Sequence, residues 1–262
     1  MDLGIAGRWA LVCAGSRGLG KACAKALVQE GANVVVTGRD KTTLAATVQE
    51  LEALNPKATV IGAPGDITTE SGQKDALAAA PVIDILVTNA GGPPPGNFRD
   101  WTHDIWQDAL NANMLTPIAL IQATIDGMIS RKFGRIINIT SLAVKAPIAI
   151  LGLSNGARAG LTGFVAGLSR DPEIVANNVT LNNILPGWFG TDRGQQALES
   201  LATKHGLTLD QALVQRLQAI PAGRFGMPEE FGATCAFLCS CFTGYLTGQN
   251  ILLDGGEFRG TL

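Results

Sequence analysis

The feature that most restricts the fold is an alternation of short apolar segments with longer helical patterns along the chain. The apolar segments predict about seven strands, at Trp9–Ala14, Asn33–Thr37, Ala58–Gly62, Ile83–Val87, Gly134–Thr140, Val179–Ile184 and Asn250–Leu253. The longer segments predict helices at Leu19–Glu30, Lys41–Leu54, Thr68–Ala80, His103–Ser130, Leu153–Ala176 and Pro228–Leu238. Strands that are almost continuously apolar are covered on both faces. The pattern predicts an α/β fold, a doubly wound parallel sheet with helices on both faces.

The composition fits one domain over residues 1–262. Hydrophobic residues make up 46% of the 262 residues and charged residues 16%, which is enough apolar material for a large core. The net charge is −2, and no run of Lys or Arg occurs, so nucleic acids and anionic membranes are poor partners. No apolar stretch reaches the ~18 residues of a membrane span, and no charged leader opens the chain. We therefore expect a cytoplasmic protein with a small-molecule partner.

The five cysteines predict neither a disulfide framework nor a metal site. Their number is odd, and Cys235, Cys239 and Cys241 have neither a CxxC spacing nor a nearby His. We interpret all five as buried free thiols of a reducing compartment, and we expect no metal.

A loop of small residues joins the first predicted strand to the first helix. Its residues are Ala14, Gly15, Ser16, Arg17, Gly18, Leu19 and Gly20. Small residues let the backbone turn sharply and approach a pyrophosphate, while the helix N-terminus offers free N–H groups and a positive dipole end. We expect alanine at position 14 to be tolerated if its φ is negative. A strand, a glycine cluster and a helix in this order indicate a dinucleotide-binding unit.

This loop resembles the TGxxxGxG loop of short-chain dehydrogenases, with Cys13 and Ala14 at the usual Thr and first Gly. Further family motifs follow in order: Asp66-Ile67, Thr88–Gly91, Pro186-Gly187, Tyr245–Gln249 and Asp254–Gly256. The resemblance implies a Rossmann-type fold and a homotetramer or dimer, with the C-terminal motifs in subunit contacts. It also implies further cofactor contacts, at Asp66, Ile67, Asn89, Ala90, Gly91, Pro186, Gly187, Phe189 and Thr191.

The residues after the second predicted strand favour NADP(H) over NAD(H). An acidic residue there would bind the ribose hydroxyl of NAD, but this slot holds Gly38 and is followed by Arg39. Arg17 lies in the glycine loop. Two guanidinium groups without a carboxylate suit a 2′-phosphate.

The family's catalytic residues are Asn, Ser, Tyr and Lys, and the resemblance carries over only the first two. Asn113 matches the Asn, and Ser141, at the end of the fifth predicted strand, matches the Ser. The YxxxK register places Ser154 at the Tyr position and Arg158 at the Lys position, where Arg158 would also hold the cofactor ribose. No shift restores a tyrosine, because the chain has one, Tyr245.

Three functions follow from this departure. The first is reduction of a carbonyl or oxidation of an alcohol with non-standard proton delivery, through water held by Asn113 or Ser154; removal of a general acid costs ~10²–10⁴-fold in rate. The second is different chemistry, such as dehydration, and the third is a non-catalytic NADP(H)-binding subunit or sensor. We favour the first, because the polar site residues are kept. The chain also resembles a subgroup of 3-oxoacyl-carrier-protein reductases, which implies 3-oxoacyl thioesters as substrates.

Two segments interrupt the strand–helix rhythm. Residues 91–96 read GGPPPG and predict a stiff loop, because proline joins neither a sheet ladder nor a helix interior. Residues 190–223 form an insertion with two amphipathic patterns, interpreted as either a substrate lid or a packed peripheral helix pair. His205 in this insertion and Lys145 after Ser141 have either substrate-facing or solvated positions, and His103 is expected at the surface.

Overall fold

The computed structural model describes residues 1–261 and contains the predicted doubly wound sheet. Seven parallel strands lie in the order β3-β2-β1-β4-β5-β6-β7. They are β1 Trp9–Val12, β2 Asn33–Gly38, β3 Val60–Pro64, β4 Ile85–Thr88, β5 Gly134–Ile139, β6 Val179–Pro186 and β7 Asn250–Leu253. The chain winds outward in one direction from β1 to β3 and in the other from β4 to β7. The crevice between β1 and β4 is where doubly wound proteins bind their ligands.

Helices cover both faces of the sheet. They are α1 Gly18–Gln29, α2 Lys41–Leu54, α3 Glu70–Ala78, α4 His103–Leu110, α5 Thr116–Ser130, α6 Gly152–Leu168, α7 Pro172–Val175, α8 Asp192–His205, α9 Leu209–Gln218 and α10 Pro228–Leu238. One apolar core contains residues of α1, α2 and α10, and the other contains residues of α3, α5 and α6. The prediction of helices on both faces is confirmed.

Two predicted helices are interrupted. The segment predicted as His103–Ser130 contains a π-helical turn, Asn111–Leu115, between α4 and α5. The segment predicted as Leu153–Ala176 stops at Leu168 and restarts at Pro172, where the Asp171 side chain accepts a hydrogen bond from the Glu173 N–H. A proline at the first position of a helix starts it without a lost hydrogen bond, so α7 is a new helix.

The thiol prediction is correct for four cysteines and wrong for the fifth. Cys13, Cys23, Cys235 and Cys239 are buried, whereas Cys241 is exposed, in a short 3₁₀ turn after α10. Burial raises the pKa of Cys13 to about 12, so its thiol is unreactive at neutral pH. Within residues 1–261, no cluster of His, Cys, Asp and Glu could hold a metal ion. The same part of the chain has no helix that is both long and apolar enough to cross a membrane.

The insertion after β6 forms a helix pair, α8 and α9, with a small core of its own. Its base is tied to the main domain through Trp188, whose ring stacks on Phe225 at 5.6 Å between centroids. The guanidinium of Arg216 lies 4.6 Å from the Trp188 ring centroid. The pair is therefore packed at its base, and its role as a lid stays a prediction.

Candidate active site

The glycine loop lies at the carboxyl end of β1 and presents an uncapped helix end. Arg17 is the N-cap residue of α1 and its side chain makes no capping hydrogen bond. The first N–H groups of α1 therefore point at the crevice without a side-chain acceptor. A Cβ at Gly15 would lie 2.4 Å from Val36 Cγ1, and one at Gly20 would lie 2.5 Å from the Ala14 carbonyl oxygen. These two positions need glycine because the loop is packed on the sheet.

Ala14 does not meet the condition under which we expected alanine to be tolerated. Its φ is +46°, in the left-handed region that favours glycine. The Ala14 N–H donates to Thr37 Oγ1 at 2.9 Å, so this backbone conformation is fixed from both sides of the loop. A residue with a side chain is strained at this position.

Polar and cationic groups surround the end of β2, where the ribose of the adenosine half is expected. A Cβ at Gly38 would lie 2.8 Å from Ser16 Oγ, so an acidic side chain would not fit there without a shift of Ser16. The exposed Arg17 guanidinium donates to Thr43 Oγ1 at 2.7 Å. Arg39 is exposed beside this group. Position 38 has no carboxylate, and the next carboxylate along the chain, Asp40, accepts a hydrogen bond from the Thr43 N–H and caps α2. The binding of a 2′-phosphate by the two arginines stays a prediction.

The remaining predicted cofactor residues lie at the same edge of the sheet. Burial opposes ionisation of Asp66, but two hydrogen bonds from Thr68 and the charge of Arg39 hold the pKa of that carboxyl below its usual value. Ile67 is buried beside it. The Asn89 side-chain amide lies 3.0 Å from the Cβ position of Gly20, which places the loop after β4 against the glycine loop. Ala90 and Gly91 continue that loop.

The segment after β6 packs against α10 and against the residue that follows β7. Phe189 is buried and meets Phe231 edge to face, with 5.4 Å between the ring centroids. The Thr191 hydroxyl accepts a hydrogen bond from the Gly194 N–H at 3.2 Å and caps α8. Pro186 closes β6, and Gly187 packs against Asp254. The Phe189 ring thus belongs to the core, while the Thr191 hydroxyl keeps its proton free for a ligand.

The structure brings together Asn113 and Arg158, two of the predicted catalytic residues. Asn113 is buried in the π-helical turn, and its Oδ1 accepts a hydrogen bond from the Arg158 guanidinium at 2.9 Å. Its amide donates to the carbonyls of Gly91 at 3.4 Å and Ala109 at 3.3 Å. Both amide protons of Asn113 are therefore donated to carbonyl oxygens. Its Oδ1 holds the Arg158 guanidinium with one lone pair, and the second lone pair can accept a hydrogen bond from a water.

Arg158 links α6 to the end of β5. A second nitrogen of its guanidinium donates to the Thr140 carbonyl oxygen, while its buried Nε has no hydrogen-bond partner among residues 1–261. Burial, together with the charge of Arg193, lowers the pKa of Arg158 to about 10. The group is therefore a cation at neutral pH with one unmet buried donor, which is a costly arrangement without a ligand.

Ser141 and Ser154 complete the predicted set. The Ser141 Oγ accepts a hydrogen bond from the Ala143 N–H at 3.1 Å and caps a short 3₁₀ turn, which leaves its hydroxyl proton available. Ser154 is the third residue of α6 and is buried. Tyr245 is fully exposed and precedes β7, at the opposite edge of the parallel sheet. No tyrosine of residues 1–261 therefore lies at the site.

Three further polar residues of the sequence analysis lie outside this set. His103 is exposed in the first turn of α4, as expected, and lies 3.3 Å from the Gln107 amide. His205 is exposed at the last residue of α8. Lys145 Nζ lies 5.9 Å from the Phe258 ring centroid.

Sequence reasoning missed Arg193 in the first turn of α8. Its guanidinium lies over residues 91–96, with Nη1 3.5 Å from the Gly92 carbonyl oxygen. No motif marks this residue, and its contact depends on how α8 leaves the sheet. The one available signal is its place beside Thr191, at the start of the predicted lid.

The comparisons with known proteins agree with this geometry. The sequence profile described as short chain dehydrogenase matches residues 8–202. The chain belongs to this family. Membership identifies it as an oxidoreductase of the short-chain type. The family resemblance inferred from the sequence motifs is confirmed.

Members similar to this chain over its full length include carbonyl reductases. The chain is 33% identical over 259 residues to a 3-oxoacyl-(acyl-carrier-protein) reductase of Vibrio harveyi, with 98% of this chain and 99% of that protein covered. A protein described by the same name from Chlamydia pneumoniae is 30% identical, with 98% and 99% covered.

Solved structures of the family superpose closely. YwfH, described as an NADPH-dependent reductase in bacilysin biosynthesis, gives a TM-score of 0.91 at 28% identity, covering 97% of this chain and 100% of that one. L-sorbose reductase of Gluconobacter frateurii, solved with NADPH and L-sorbose, gives 0.91 at 26% identity, covering 99% and 100%.

Proposed function

We propose that the protein is an NADP(H)-dependent oxidoreductase that interconverts a carbonyl and an alcohol, with Ser154 and Arg158 in place of the family's Tyr and Lys. The observation that carries this proposal is the unmet buried Nε–H of Arg158, whose guanidinium is held by the Thr140 carbonyl oxygen, one residue before Ser141, at the carboxyl edge of the sheet. An unpaired buried donor in a polar crevice can be satisfied by a ligand with an oxygen acceptor. Ribose hydroxyls and a substrate carbonyl both supply one.

The residues of the crevice suit NADP(H). The uncapped start of α1 would receive the pyrophosphate. Arg17 and Arg39 would receive the 2′-phosphate, and Gly38 provides no carboxylate to repel it. Both solved relatives described above carry NADPH in their descriptions, which supports the same choice here.

The chain's own residues would stabilise the negative charge that develops on the substrate oxygen. When bound, NADPH supplies a hydride to the carbonyl carbon. The Ser141 hydroxyl would donate to the carbonyl oxygen, because its Oγ accepts from the Ala143 N–H and its own proton is free. The Arg158 cation lies at the end of the same strand and adds positive charge.

The proton that completes the alcohol would come from bulk solvent, relayed by a water held in the site, so that the water is regenerated as it passes the proton on. A serine hydroxyl is a far weaker acid than a phenol, whose pKa is ~10. Arg158 stays protonated at neutral pH, because its pKa is about 10. One lone pair of Asn113 Oδ1 and the Ser154 hydroxyl remain to hold the water. Slow turnover is the expected result, since a positioned general acid contributes ~10²–10⁴-fold.

The cofactor half of the proposal is tested by fluorescence titration with NADPH and NADH. Replacement of either arginine, Arg17→Gln or Arg39→Gln, is expected to weaken NADPH binding by about 10-fold or more and to leave NADH binding unchanged. Arg170→Gln, an exposed arginine at the end of α6, is the matched control. Equal or tighter binding of NADH to the unaltered protein would overturn the assignment of NADP(H).

The chemical half is tested by NADPH oxidation with 3-oxoacyl thioesters and small ketones. We expect Ser141→Ala and Arg158→Ala to abolish turnover. Ser154→Ala is expected to change it little, because Asn113 Oδ1 still holds the water. The double change Ser154→Tyr with Arg158→Lys is expected to raise the rate strongly. Tight NADPH binding without turnover of any carbonyl would favour a nucleotide-binding subunit, and product formation without cofactor would favour lyase chemistry.

A further inference from the structure

Arg193 places a second positive charge, besides that of Arg158, at the crevice. It is the second residue of α8, and its guanidinium bridges to residues 91–96 through the Gly92 carbonyl oxygen. A Cβ at Gly92 would lie 2.6 Å from Arg193 Nη2, so a side chain at position 92 would displace the guanidinium from this backbone. The contact places a positive charge at the rim of the crevice, between the helix pair and the proline loop.

The two guanidinium groups reach neighbouring parts of one loop. Arg193 donates to the Gly92 carbonyl oxygen, and Arg158 donates to Asn113, whose amide donates to the Gly91 carbonyl oxygen. The charge of Arg193 also contributes to the lowered pKa of Arg158. Among residues 1–261, ion pairs engage Arg8, Lys21, Arg131, Arg216 and Arg224, and neither Arg158 nor Arg193. Two like charges that are not engaged in ion pairs repel each other, and an anion between them would offset that repulsion.

Further features of this cleft leave donors free. The positive end of the α8 dipole lies at Thr191, two residues before Arg193, with the exposed carboxylate of Asp192 between them. Arg193 Nη1 is turned to Gly92, which leaves other N–H groups of its planar fork free. One free guanidinium edge matches the two oxygens of a carboxylate. The buried Nε of Arg158 remains without a partner deeper in the crevice.

We propose that the substrate is an oxo acid, a carbonyl compound that also carries a carboxylate, and that Arg193 binds this carboxylate. The proposal rests on the reductase function proposed above and names its substrate class. The carboxylate lies at Arg193 on the rim, while the carbonyl oxygen lies deeper, at Ser141 and Arg158. A 3-oxoacyl thioester has a neutral group where an oxo acid has its carboxylate.

The test compares 2-oxo and 3-oxo acids with their methyl esters and with 3-oxoacyl thioesters of the same chain length. For the unaltered protein, we expect the acids to have KM values about 10–100-fold below those of the esters. Arg193→Gln is expected to remove this difference, and Arg193→Lys to restore part of it. Arg170→Gln is expected to keep it. A second readout, binding of the same acids to the NADP⁺ complex by calorimetry, requires no turnover.

The outcomes separate this inference from the function on which it rests. If the acids bind the NADP⁺ complex in an Arg193-dependent way but are not reduced, the anion site stands and the reductase proposal fails. If thioesters and esters are reduced as well as the acids, with Arg193→Gln indistinguishable from wild type, the reductase stands and the anion site is refuted. Equal weakening of NADPH itself by Arg193→Gln, or no binding of any acid, also overturns the inference.

Discussion

Replacement of Ala14 by glycine is expected to stabilise the protein. Ala14 has φ +46°, and its N–H is held by Thr37 Oγ1 while its carbonyl packs against Gly20. The backbone therefore cannot relax to a negative φ without losing contacts on both sides. A side chain in the left-handed region costs about 1–2 kcal/mol. Glycine removes this cost but adds about 0.5–1 kcal/mol of unfolded-state entropy.

The net gain is about 0.5–1 kcal/mol, or about 1–4 °C in Tm for a chain of this size. Thermal and urea unfolding followed by circular dichroism measure it. Ala26→Gly is the matched control, because Ala26 lies in the interior of α1 and is also half-buried. That change is expected to destabilise the protein by about 1 kcal/mol.

A destabilisation by Ala14→Gly as large as that by Ala26→Gly would refute the reasoning, because it would mean that the loop does not strain residue 14. The same measurement with saturating NADPH adds a second comparison. An equal gain with and without the cofactor is expected, since the strain arises from backbone contacts within the loop.

Three other predictions concern the polar interior. Asn113→Ala should lower kcat by about 100-fold through misplacement of Arg158, in steady-state assays, with the Kd of NADPH changed much less. Because Arg158 is a cation below its pKa of about 10, kcat/KM for reduction should fall as the pH rises through about 10, and a profile without that fall would contradict its role. Arg135→Leu should cost about 3 kcal/mol or more in urea unfolding, since fully buried Arg135 satisfies the carbonyls of Ser240 and Asn178.

The sheet could be predicted from the sequence because each strand is buried on both faces. Segments such as Leu11-Val12 and Ile136-Ile137 have no polar alternation, and the helical segments between them repeat with the helix period. The interruptions could not be predicted in the same way. The π-helical turn at Asn111–Leu115 depends on where Asn113 finds its partners, and these come from the loop after β4 and from α6. Periodicity contains no information about such distant contacts.

The candidate site could be predicted where a short motif fixes the backbone, and not where a side chain crosses between elements. Ser141 lies two residues after the end of β5, and Arg158 lies one turn along α6 from Ser154, so their places followed from the fold. The partner of Arg158 and the bridge from Arg193 to Gly92 join segments that are far apart in sequence. The strain at Ala14 was missed for a different reason: the residue type is small, and its φ depends on the packed turn.

The contacts of α6 decide how the absence of tyrosine is to be interpreted. Trp101 packs on Gly152 and Trp106 on Gly156, where added Cβ atoms would lie 2.5 and 3.1 Å from the rings. These two contacts fix α6 on both sides of Ser154. Full-length superposition on reductases of the family, with a TM-score of 0.91, shows no large rearrangement of the fold. These contacts support the proposal that Ser154 changes the chemistry of the site and not its backbone, with the proton delivered through water.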